Sequence, residues 1–251
     1  MSTTASVKHQ VLVTGFGPFR QFKENPSWLA VRTLQNTILH TPTSTSEAIR
    51  ISTLQIPTVY SQVLDIIPGL HAAPPVLPAP SSISIPIPED FPPPPENGYT
   101  LIIHVGVAPP TELRVELFGD KTGYNKLDHE EKYADVVGEE EGKEEDGSPV
   151  LIRGVAGERY SMFAERLKVE VDVDQLLEDC ARDGKTLVTS TDAGHYLCDF
   201  TLYCSLAESK MAGRNTPVMF IHCSPVNEPM STEQVAEGLK SIVANVCARL
   251  G

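Results

Sequence analysis

The sequence predicts an α/β protein: a single three-layer α/β/α domain around a central, mostly parallel twisted sheet. Three observations predict it. Short apolar runs alternate with longer amphipathic segments along the chain, as in strands joined by crossover helices. The 251 residues, 41% of them hydrophobic, suit one domain with its own core. No segment repeats, which sets aside solenoids and propellers.

HQVLVTGF (9–16) reads as a buried strand running into the turn signal GFGPF. A helix is expected from Pro26 to about Thr37, with Asn25 as N-cap and Trp28, Val31, Leu34 and Ile38 at helical spacing. IRISTLQIP (49–57) is the next strand and VYSQVLDII the helix after it. YTLIIHVGVA (99–108) and the alternating TELRVELFG (112–119) follow as strands. VDVDQLLEDCARDG (171–184) is a helix stopped by Gly184, TLVTSTDAG (186–194) a strand and turn, and HYLCDFTLYCSLAESK (195–210) a helix. TPVMFIHCSP (216–225) is the last strand. Ser231 or Thr232 then caps a helix carrying Val235, Leu239, Ile242, Val243 and Val246.

Two tracts interrupt this pattern. Residues 68–95 hold 11 of the 21 prolines, and residues 128–147 hold ten acidic residues against two lysines. They predict a proline-rich insert loop over 68–97, a surface excursion of polyproline character, and a mobile acidic loop over 128–149. Everything else belongs to one domain spanning 1–251. The formal net charge of −13 argues against nucleic acid and against an anionic membrane as partners. No run of 18 apolar residues occurs and the polar start MSTTASVKHQ shows no secretory pattern, so the expected location is cytoplasmic. The five cysteines, with no C-x-x-C pair, fit neither zinc spacing nor a disulfide framework.

Chemistry concentrates in TLVTSTDAGHYLCDF. A strand and a glycine turn place Cys198 in the first turn of a helix. Unpaired N–H groups and the positive helix end there favour a thiolate and can receive an oxyanion. A nucleophilic thiol needs a base, and His222 closes the apolar strand FIHC, though His104 and His195 remain open on composition alone. Glu116, or its rival Glu112, would orient the imidazole.

Four segments in order resemble the pyroglutamyl peptidase I family, cysteine peptidases of family C15. VLVTGFGPFRQFKENPSW is similar to its first signature, HVGVAPPTELRVELFGDKTGYN to its glutamate-bearing segment, STDAGHYLCDFTLYCSL to its D-A-G-x-Y-x-C block, and FIHCSP to the histidine strand. The resemblance spans about residues 10–245. It departs at Ala108-Pro109-Pro110, where the family has small or glycine-rich residues, and at His222-Cys223-Ser224-Pro225, where the proline is moved by one.

The resemblance implies a phosphorylase/hydrolase-like sheet and removal of N-terminal pyroglutamate from peptides. It implies Cys198 as nucleophile, His222 as base and acid, and Glu116 as orienting carboxylate, with Phe16, Phe19 and Asn25 on the lactam. No metal or organic cofactor is called for, and the expected partners are N-terminally pyroglutamylated peptides. Two other readings stand beside it: an interaction protein on a degenerate peptidase scaffold, docking a proline-motif-binding partner through residues 72–95, and a nucleoside-phosphorylase-like enzyme, for which the sequence has no phosphate loop.

Overall fold

The computed structural model describes residues 7–79, 87, 90–143 and 149–250. Its centre is a seven-stranded sheet in the order β10-β5-β11-β4-β1-β3-β2. These are β1 (His9–Phe16), β2 (Ile38–His40), β3 (Ala48–Ile56), β4 (Leu101–Val107), β5 (Leu113–Glu116), β10 (Leu187–Ser190) and β11 (Val218–Cys223). β3, β1, β4 and β11 run parallel. β5 is antiparallel to β11, β10 is parallel to β5, and β2 lies antiparallel on the far edge.

The parallel strands are near-continuous apolar runs because helices cover both faces. On one face α1 (Pro26–Val31), α3 (Val173–Arg182) and α5 (Thr232–Cys247) pack together; α2 (Tyr60–Leu70) and α4 (Leu197–Met211) cover the other. Val11, Val13, Ile103, Val105 and Phe220 between them are sealed from water. The expected three-layer α/β/α domain with a mostly parallel sheet is therefore what forms. Among the described residues no helix is long and apolar enough to cross a membrane.

Several elements depart from the sequence reading. The first helix ends at Leu34 after a 3-10 turn, and Ile38 opens β2 at the surface, 44% exposed. Asn36 stops it by taking a left-handed φ of 58°. TELRVELFG is two strands rather than one. After Glu116 the chain leaves the sheet, and β6 (Phe118–Asp120) pairs with β9 (Arg166–Lys168) beside α4.

The acidic tract is not simply a loop: β7 (Val136–Lys143) and β8 (Pro149–Arg153) form an antiparallel ribbon. Its base is tied to the body by a Thr122–Gly154 bridge, and Arg153 lies over the Tyr133 ring at 4.4 Å. The proline tract also begins later than read, because Pro68 sits inside the last turn of α2. Residues 80–86, 88 and 89 lie outside the described residues. Leu77, Ile87 and Phe91 pack against the core, and Asn36 Nδ2 donates to the Asp90 carbonyl at 2.7 Å.

Candidate active site

Strand direction assembles the site. The carboxyl ends of β1, β4 and β11 gather at one edge of the sheet, where open α/β sheets bind ligands. Because β5 runs against β11, Arg114 stands opposite His222 and Glu116 opposite Phe220. The Glu116 carboxylate, fully buried, thus lies one pleat behind the imidazole. His222 Nδ1 donates to Glu116 Oε1 at 2.6 Å. Arg114 Nε donates to the same oxygen at 2.9 Å, and a guanidinium nitrogen stands 3.5 Å from His222 Nδ1. Burial pushes the Glu116 carboxyl up, but His222, Ser190 and Arg114 together outweigh it and hold the group below the ordinary glutamate range.

Cys198 reaches the same place from α4. Gly194 at φ 97° and His195 at φ 43° turn the chain off β10, and Tyr196 opens the helix without a side-chain cap. The first-turn N–H groups are therefore left for another acceptor. The sulfur lies over Gly106, the register partner of His222 on β4. A Cβ on Gly106 would come within 2.8 Å of Sγ, so only glycine leaves room there. Burial, with Glu116 and Asp199 nearby, raises the Cys198 thiol well above its ordinary value. This opposes the helix N-terminus, which favours the thiolate.

Cys198, His222 and Arg114 share the wall of a cavity of about 370 Å³ with Phe16, Phe19 and Asn25. Phe16 packs on Phe220 with centroids 6.3 Å apart. Phe19 lies 5.3 Å from Tyr196, whose hydroxyl donates to the Leu127 carbonyl at 2.8 Å. Asn25 is buried and largely occupied in shaping the loop. Its Oδ1 accepts from the Ser27 N–H and hydroxyl, and its Nδ2 donates to the Gly17 carbonyl.

The rival candidates lie elsewhere. Glu112 lines a separate surface pocket beside Gly184 and Pro229. His104 is sealed between Thr14 and Ser205. His195 Nδ1 faces Asp199 Oδ2 at 3.4 Å. With Asp120 these two form a group whose potential ligand atoms fall within 4.8 Å of one another. Arg166 already holds both oxygens of Asp120, however, and Asp199 Oδ1 accepts the Asp120 N–H. The other four cysteines are buried free thiols, and Cys223 fills a core position.

Sequence reasoning missed Arg114, Tyr196, Arg20 and Lys126 on this wall. Arg114 had a signal: two residues before Glu116 on a strand, it must share that residue's face. The others come together only through loops.

The fold and this wall define a class, an α/β/α domain with a thiol and a carboxylate-bound imidazole on one cavity wall. Residues 9–72 match the family model for pyroglutamyl peptidase, C15. The human and mouse proteins named pyroglutamyl-peptidase 1 are each 28% identical over 238 residues, covering 93% of this chain and 87% of theirs. The structure of pyroglutamyl peptidase I from Bacillus amyloliquefaciens superposes with a TM-score of 0.67 at 18% identity, covering 97% of this chain and 98% of that one. A mutant pyrrolidone carboxyl peptidase from Pyrococcus furiosus gives 0.67 at 18%, covering 96% and 100%. In sequence and in fold the chain is thus similar to the pyroglutamyl peptidases of family C15.

Proposed function

We propose that the chain is a cysteine aminopeptidase that hydrolyses the bond between N-terminal pyroglutamate and the next residue. The observation that carries this reading is the 2.6 Å His222–Glu116 bond, set beside Cys198 on the wall of one cavity. Burial raises the Cys198 thiol above its ordinary value, so Cys198 acts with His222 rather than ahead of it. His222 takes the thiol proton as sulfur bonds to the carbonyl carbon. First-turn N–H groups of α4 receive the oxyanion. The carbonyl re-forms as the C–N bond breaks, and His222 passes its proton to the leaving amine. Water then attacks the thioester with His222 again as base, releasing pyroglutamate and the free thiol. Glu116 holds Nδ1 protonated, so Nε2 stays free to accept.

A flat, neutral lactam suits Phe16 and Phe19, since it offers no charge to pair and two ring faces to cover. The test is release of a fluorophore from a pyroglutamyl amide. Cys198→Ala is expected to abolish it while circular dichroism stays unchanged; retained turnover would overturn the mechanism.

Docking of a proline-motif-binding partner by residues 72–95 is a weaker second reading. It is favoured by Val76, 63% exposed, but Leu77, Phe91 and Pro92 turn toward the body. Deleting 72–95 would separate the two, sparing hydrolysis if the tract is peripheral.

A further inference from the structure

We propose that the mouth of this cavity selects pyroglutamyl peptides that carry a carboxylate on the residue after pyroglutamate, with Arg20 and Lys126 as the selecting cations. The proposal rests on the peptidase reading above and names the substrate class within it.

The chain carries a net charge of −13, yet Arg20, Arg114 and Lys126 line the cavity against one carboxylate, Asp192. Two of these charges are answered locally. Arg114 is bonded to Glu116 behind the wall, and Asp192 Oδ1 accepts the Gly194 N–H at 2.8 Å. Arg20 and Lys126 are not. Among the described residues neither forms an ion pair, and Lys126 Nζ donates to the Gly194 carbonyl at 2.9 Å. The Arg20 guanidinium lies 4.9 Å from the centre of the Phe19 ring.

The backbone at Arg20 is unusual. Phe19 and Phe22 exchange both backbone hydrogen bonds, at 3.0 and 2.9 Å, so Arg20 and Gln21 form a two-residue turn. Arg20 takes φ 48° there, a conformation that favours glycine, asparagine or aspartate. The turn therefore holds an arginine where glycine would be less strained, beside the ring that borders the cavity. A neutral lactam between Phe16 and Phe19 makes no use of cations. The residue leaving on the far side of the reacting carbonyl is the part of the substrate that can meet them. That carboxylate has two sources: an acidic side chain, or the free α-carboxylate of a pyroglutamyl dipeptide.

The experiment compares kcat/KM for the amides of pyroglutamyl-glutamate, pyroglutamyl-alanine and pyroglutamyl-lysine, and for pyroglutamyl-alanine as the free acid. Wild type, Arg20→Gly and Lys126→Met are assayed at low and high salt. Glycine suits φ 48°, so the first variant should fold at least as well. Each preference is a ratio within one protein, so changes in folding or thiol reactivity cancel. The expected preference is about two- to fivefold per cation, glutamyl over alanyl amide or free acid over amide. It should shrink toward unity in 1 M salt and in either variant. A glutamyl preference assigns the side chain, and a free-acid preference assigns the α-carboxylate. Equal rates for all four substrates in wild type would overturn the proposal and leave the peptidase reading intact. A preference that both variants retain would overturn the assignment to these cations. No cleavage of any substrate would overturn the peptidase reading itself.

Discussion

Two histidine clusters lie within one sheet layer of each other and show opposite chemistry. In the first, Thr14 Oγ1, His104, Ser205 Oγ and His71 form a sealed chain with contacts of 2.7, 2.9 and 2.8 Å and no carboxylate. Burial, reinforced by Arg214 beside His71 and by the coupling between the two rings, lowers both imidazoles to about 3. In the second, His222 is as buried, but it bonds the Glu116 carboxylate and opens on the other side to a cavity with Cys198. Burial alone makes a histidine inert. A buried carboxylate on one nitrogen and free space at the other make it useful.

The largest expected effect breaks the second cluster. Cys198→Ala or His222→Ala should lower kcat by about 10⁴ or more, with the melting temperature little changed. Steady-state assay of a pyroglutamyl amide checks it, and loss below a hundredfold would count against the assigned roles. Glu116→Gln should cost less, on the order of 10²–10⁴, because the imidazole keeps a partner but loses its preferred tautomer; kcat is the readout.

Breaking the first cluster should do the reverse. Ser205→Ala leaves a buried ring nitrogen unpaired on each histidine it bridges and should cost about 1–3 kcal/mol in urea unfolding, with kcat/KM near wild type.

A pH experiment sharpens the contrast. The unfolded chain protonates His71 and His104 near 6.5, whereas the fold holds them neutral to about 3. The unfolded state therefore binds more protons between those values, and stability falls as pH drops through that window. Asp199, raised to about 7 by burial, and Glu208, also raised by burial, pull the other way. Urea midpoints from pH 7 to 4 should fall, and fall less in His71→Asn; an equal slope in both proteins would remove the assignment.

The smallest effect concerns Cys198 reactivity. Since burial raises its thiol above the ordinary value, iodoacetamide alkylation of the free enzyme should keep rising past pH 9. A plateau near neutral pH would show a standing thiolate instead.

Much of the fold could be read from sequence because helix and strand periods are local. The strands at the centre of the sheet are buried runs of valine, isoleucine and leucine, and Ser231 caps α5 with a full capping box. Missed pieces are those whose side chains do little. β2 and β9 have three residues each, and the β7–β8 ribbon is held by its backbone ladder with valines and glutamates facing water. No apolar alternation announces such a ribbon.

By itself the sequence determined the order of the main strands and helices, the buried runs and the positions of Cys198, Glu116 and His222 along the chain. Spacing in the chain cannot say which carboxylate meets which imidazole. That needed β5 to run against β11, which brings Glu116 behind His222 and sends Glu112 to another surface. It also cannot set a dielectric environment. Tertiary packing decided that the Cys198 thiol is raised, that the His71 and His104 imidazoles are lowered, and that Arg20 and Lys126 line the same cavity.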